Sequence, residues 1–185
     1  MSSLPETRSR TRELVAIALF TALLAAVAPI VVPLGPVPFT LQVFVVTLAA
    51  LLLRPSAAAV SVGLYLVLGA LGAPVFSGGN GGIGVILGPT GGYLGGFLVG
   101  AVLGAFARRT LARRIGASGS DLIAATVCIA CIYSLGWFQL SLVAQMGAAP
   151  AFAVGVAPFA VADLVKAVVA IGVASAVRRA GLAAT

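Results

Sequence analysis

The stretch Thr90-Gly-Gly-Tyr93-Leu-Gly-Gly96-Phe-Leu-Val-Gly100-Ala-Val-Leu-Gly104-Ala-Phe-Ala107-Arg108-Arg109 decides the fold class. From Thr90 to Ala107 it carries no charge, and it then stops abruptly on arginine. A membrane-crossing helix needs about 20 mostly apolar residues, and flanking Arg or Lys anchors one end of it. Gly92, Gly96, Gly100 and Gly104 recur every four residues. That spacing puts them on one helical stripe, where another helix backbone can approach closely. Packing inside a helix bundle is the reading preferred for this stripe.

The rest of the chain repeats the pattern. Residues 14–53, 55–107 and 122–162 contain no Asp, Glu, Lys or Arg. Of 185 residues, 61% are hydrophobic and 8% charged. Soluble domains carry roughly 25% charged residues, so neither a soluble enzyme nor a disordered chain fits. The net charge of +7 does not argue for nucleic acid, because the arginines lie at the edges of apolar runs. No His is present, and no G-x-x-x-x-G-K-[ST] phosphate loop. Cys128 and Cys131 form C-x-x-C inside an apolar run. Two small buried side chains explain them better than a redox or metal site.

These features predict an all-α integral membrane protein, a single domain over residues 1–185. Six spans are expected, at about 13–32, 41–53, 56–72, 90–107, 121–144 and 158–177. Prolines 33, 36 and 38 end the first span. All ten arginines then fall on one side: Arg8, Arg10, Arg12, Arg54, Arg108, Arg109, Arg113, Arg114, Arg178 and Arg179. By the positive-inside rule both termini are cytoplasmic. The N-terminus, with arginines, an apolar run and Ala26-Val27-Ala28, has the form of a signal peptide. The length of its apolar run and Pro29 favour a retained helix. Ala18, Ala22 and Ala26 form a second small-residue stripe, facing either the bundle or a partner protein.

Between spans three and four lies a glycine-rich outer loop, Ala73 to Pro89. It contains G-x-G-x-x-G but has no preceding strand and no βαβ context, so it is not a dinucleotide fingerprint. Its apolar flanks suggest backbone folded against a cavity, the only place irregular chain is tolerated at membrane depth. Asn80 is its one side chain that both donates and accepts.

Asp163 and Lys166 are the only charges inside a span. Spaced by three, they share a helical face, roughly 8 and 12 Å along the helix from Pro158. A charge at the centre of a membrane helix costs about 2.5–3.5 kcal/mol, so such residues face the bundle interior and pair. Either they form an internal ion pair that fixes packing, or they line a pocket for a small ligand with a polar head. Gln42, Asn80 and Tyr93 are candidates to join them; Ser134, Trp137 and Gln139 are weaker ones. No nucleophile–base pair or metal cluster accompanies the charges, so neither catalysis nor a cofactor is expected.

Four segments together resemble the BioY family, the biotin-specific S components of energy-coupling-factor (ECF) transporters. They are Val37-Pro-Phe-Thr-Leu-Gln42, Gly72-Ala-Pro-Val-Phe-Ser-Gly-Gly-Asn80-Gly-Gly82, Leu87-Gly-Pro-Thr-Gly-Gly-Tyr93 and Asp163-Leu-Val-Lys166. The resemblance runs through nearly the whole chain. Span five and the 145–157 loop match loosely. It implies a six-helix subunit of the cell inner (plasma) membrane that binds biotin near the outer surface, the loop after span three closing over the vitamin. Residues matching Asn80, Asp163 and Lys166 would contact biotin. Ala18 and Ala22 resemble the docking motif for a transmembrane T component, with two cytoplasmic ATPases supplying energy. The alternative is a stand-alone carrier gated by the Asp163–Lys166 pair. On the resemblance, replacing Asp163 or Asn80 with Ala should weaken binding at least about tenfold.

Overall fold

The computed structural model describes residues 4–33 and 36–181, with side chains from Arg10 onward. Residues 34 and 35 of the proline-rich turn and the Arg8 side chain lie outside that description. The elements are α1 (Leu4–Val27), β1 (Val31–Val32), β2 (Phe39–Thr40), α2 (Gln42–Leu52), α3 (Pro55–Ala70), a 3-10 turn (Ser77–Gly79), α4 (Ile83–Leu87), α5 (Gly91–Val143), α6 (Ala148–Gly155) and α7 (Ala160–Arg179). Each predicted span overlaps a helix or one limb of α5, although α2 is only 11 residues long. Two of the helices, α5 and α7, are long and apolar enough by themselves to cross a membrane.

α5 is not one straight rod. Gly116 adopts φ 74°, ψ 176°, a left-handed conformation that glycine takes without steric cost. The chain reverses there, and its two limbs pack antiparallel. The glycine stripe forms the seam between them. A Cβ on Gly100 would sit 2.6 Å from the Cys128 carbonyl oxygen, and one on Gly96 2.6 Å from Ile132 Cα. Backbone-to-backbone contact of this kind replaces side-chain interdigitation where lipid supplies no hydrophobic drive. Cys128 is fully buried under Gly100, and Cys131 is half-buried; both are free thiols.

Three expectations need correction. The first span was read to Val32, but α1 ends at Val27. Pro29 disfavours helical backbone in the residue before it, so the helix stops ahead of it. The fold is not purely helical: Val31–Val32 pair antiparallel with Phe39–Thr40. The intervening prolines cannot continue a helix, and the extended residues flanking them satisfy each other's backbone groups. The 145–157 loop also contains a two-turn helix, α6, pinned by Trp137 Nε1 donating to the Ala148 carbonyl at 2.8 Å.

The surface is inverted relative to a water-soluble protein. On α7, Asp163, Lys166, Ala167, Ala170 and Ala174 point inward, while Val161, Leu164, Val165 and Val168 are exposed. Similar exposed aliphatic faces occur on α1, α3 and both limbs of α5. An apolar exterior this extensive is compatible with lipid and not with water.

Candidate functional site

At the end of the bundle away from the Gly116 bend, the loops and helix ends surround a pocket. The pocket and its mouth hold about 610 Å³ free of protein atoms. Its walls are mostly apolar, drawn from the hairpin (Val37, Phe39), α2 (Val43), α4 (Val85), α5 (Leu94, Phe97, Ile132) and the start of α7 (Phe159). Small-ligand sites have this composition, mostly apolar with a few placed polar groups.

Asp163 and Lys166 supply the charged part. Asp163 lies in the first turn of α7, where the helix dipole favours an anion, and is 3% exposed. Lys166 Nζ donates to Asp163 Oδ1 at 2.7 Å and to the Thr40 carbonyl at 2.6 Å. It also sits 3.6 Å from the Phe39 ring centroid, a cation–π contact. Tyr133 Oη donates to the other carboxylate oxygen, Oδ2, at 2.6 Å. Asp163 and Lys166 neutralise each other, and both line the pocket.

Gln42 and Tyr93 also line the pocket, but their donor groups are engaged elsewhere. Gln42 Nε2 donates to Tyr65 Oη, and Tyr93 Oη donates to the Gly155 carbonyl at 2.8 Å. Gly155 has to be small here, because a Cβ would lie 2.4 Å from that hydroxyl. Asn80 is not among the lining residues. It is exposed, and its Nδ2 donates to the Ser77 carbonyl at 2.7 Å, closing the tight turn of the glycine-rich loop. Gln139 Nε2 holds the far arm of the same loop through the Ile86 and Gly88 carbonyls, both at 2.8 Å. Ser134 is exposed and outside the lining. Ala18 and Ala22 are exposed on α1, far in sequence from any pocket residue.

Four contributors escaped the sequence reading: Tyr133, Thr40, Phe39 and Ser77. A tyrosine in mid-span should have signalled a partner, because a buried phenol seeks one. Ser77 is informative in another way. Among the described residues, its Oγ is the one buried side-chain polar atom without a hydrogen-bond partner, and it lines the pocket. Buried polar atoms are normally satisfied, so an orphan on a lining residue marks Ser77 as a candidate to bond a ligand.

Known proteins resemble this chain in sequence and in fold. The BioY family model matches residues 2–183. The biotin transporter BioY of Thermotoga maritima is 42% identical over 159 residues, covering 86% of this chain and 91% of the relative. That of Rhizobium etli is 37% identical, covering 86% and 89%. A crystal structure of the S-component for biotin from an ECF-type ABC transporter superposes with a TM-score of 0.84 at 26% identity, covering 97% of this chain and 95% of that one. The protein is thus a membrane protein of transporter kinship, and it belongs to the BioY family.

Proposed function

We propose that the chain is the biotin-capturing S component of an ECF-type transporter and catalyses no reaction. The relatives' names supply the vitamin, and the pocket supplies a physical reason for it. Biotin carries a ureido ring with N–H donors and a carbonyl, a thioether ring and a carboxylate-ended aliphatic tail. A carboxylate offers about four acceptor positions. Lys166 and Tyr133 each use one on Asp163, leaving room for ureido N–H groups. Ser77, whose Oγ is unpartnered and which lines the same pocket, serves the same head group. Lys166 acts through Asp163: its own N–H groups are directed at the carboxylate, the Thr40 carbonyl and the Phe39 ring. Val43, Val85, Leu94 and Phe97 receive the apolar part of the ligand. Asn80 acts on the head group through the turn that carries Ser77.

The single observation carrying this reading is Asp163, held by Lys166 and Tyr133, in the wall of a mostly apolar pocket that Ser77 also lines. In the membrane we place six spans as one unit, with both termini cytoplasmic and the pocket opening outward in the cell inner membrane. The clustering of all arginines at helix ends and turns supports that orientation. Ala18 and Ala22, exposed on α1, are where a T component would dock, joined by two ATPases.

Equilibrium binding of labelled biotin to the purified chain tests the proposal. Saturable binding that desthiobiotin competes and lipoate does not is the expected result. No binding by folded protein sinks it. Uptake by the same chain in cells lacking every T component would replace the S-component reading with that of a stand-alone carrier.

A further inference from the structure

At the opposite end of the bundle a second cavity lies between the α2–α3 corner and the first limb of α5. Its walls are Leu53, Arg54, Arg108, Arg109, Thr110, Ala112 and Arg113. Arg108 is committed, its Nε 2.8 Å from Asp121 Oδ1. Among the described residues, Arg54, Arg109 and Arg113 have neither an ion-pair nor a hydrogen-bond partner. Three unneutralised guanidinium groups around one concavity form a fork suited to a phosphate. What lies below them says which phosphate. Val99, Phe106 and Arg113 are spaced by seven on the same limb, so they form one stripe, with Leu103 and Arg109 beside it. Val99, Leu103 and Phe106 are exposed at 40%, 45% and 58%. An apolar track therefore runs from the cavity along the helix toward the middle of the membrane.

We propose that this cavity binds the headgroup phosphate of an anionic phospholipid, whose acyl chains lie along Val99, Leu103 and Phe106. A free phosphate ion would use the arginines and leave the track idle. A phospholipid uses both, and basic pockets between membrane helices are physically suited to such headgroups. The proposal does not depend on the vitamin assignment.

The test uses the full chain in detergent micelles, titrated with phosphatidylglycerol, phosphatidylcholine or inorganic phosphate and read by native mass spectrometry. Phosphatidylglycerol should bind about tenfold tighter than phosphatidylcholine. The triple variant R54Q/R109Q/R113Q should lose that preference. R10Q/R114Q/R179Q removes the same charge outside the cavity and should keep it. The single variant R109Q, which perturbs folding least, should lower the preference about threefold. A thermal-unfolding midpoint and a size-exclusion profile matching wild type certify each variant as folded. Equal loss in both triple variants would reduce the effect to net charge and overturn the site. Competition by inorganic phosphate at equal concentration would overturn the lipid assignment.

Discussion

Two buried carboxylates anchor opposite ends of this bundle, and they differ in what surrounds them. Asp121 is 1% exposed and accepts from Arg108 on the other limb of α5 and from Arg178 on α7. Arg178 also reaches the Leu51 carbonyl at the end of α2. This network ties three helices together and borders no part of the vitamin pocket. Asp163 accepts from a lysine one turn away and from Tyr133, and it faces open space. Roughly 22 Å of α7 separates the two ends, at 1.5 Å per residue. Both are buried and each accepts from two side chains, two arginines at Asp121 and a lysine and a tyrosine at Asp163. The adjoining cavity, not the ion pair, distinguishes a binding group from a fastener.

The sharpest way to break this comparison is to remove each carboxylate in turn. Asp121→Ala leaves two part-buried arginines without their counter-charge and should cost about 1.5–3 kcal/mol of stability. Thermal unfolding in micelles would read that as a large drop in midpoint, with biotin affinity of the folded fraction unchanged. Asp163→Ala should do the reverse. Pocket water can hydrate the freed Lys166, so stability falls less, while biotin affinity falls at least about tenfold, or 1.4 kcal/mol. Equal stability losses with no change in affinity would make Asp163 a second fastener.

Smaller effects sharpen the pocket side. Ser77→Ala should weaken biotin about three- to tenfold, one neutral hydrogen bond of about 0.5–1.5 kcal/mol. It should leave the ligand-free protein as stable or slightly more so, because an unsatisfied hydroxyl disappears. Asn80→Ala should weaken binding only about threefold, the worth of one loop hydrogen bond. The tenfold loss expected from sequence for Asn80 assumed direct contact, whereas the side chain caps the turn behind Ser77. Isothermal titration on both variants would order them; an Asn80→Ala loss matching that of Asp163→Ala would mean the loop rearranges around ligand.

Asp163 and Lys166 were legible because two charges in an apolar run have no bland explanation. The glycine stripe was legible for a similar reason, a strict spacing of four. Tyr133 and Ser77 were not. Each is unremarkable in its own segment and acquires meaning only from a group thirty residues away or from a cavity. Span boundaries failed where a proline acted on the residue before it, as at Pro29.

Composition and charge placement by themselves determined a helical membrane bundle, its arginine-bearing end and its two intramembrane charges. Those follow from the cost of exposing polar groups to lipid, which any apolar run must respect. Only tertiary structure decided that α5 folds back at Gly116, that a strand pair closes over Lys166, and that Ser77 Oγ is left without a partner while Asn80 Nδ2 donates to the Ser77 carbonyl. Loop closure and hydrogen-bond satisfaction depend on which distant groups arrive together, and no local pattern encodes that.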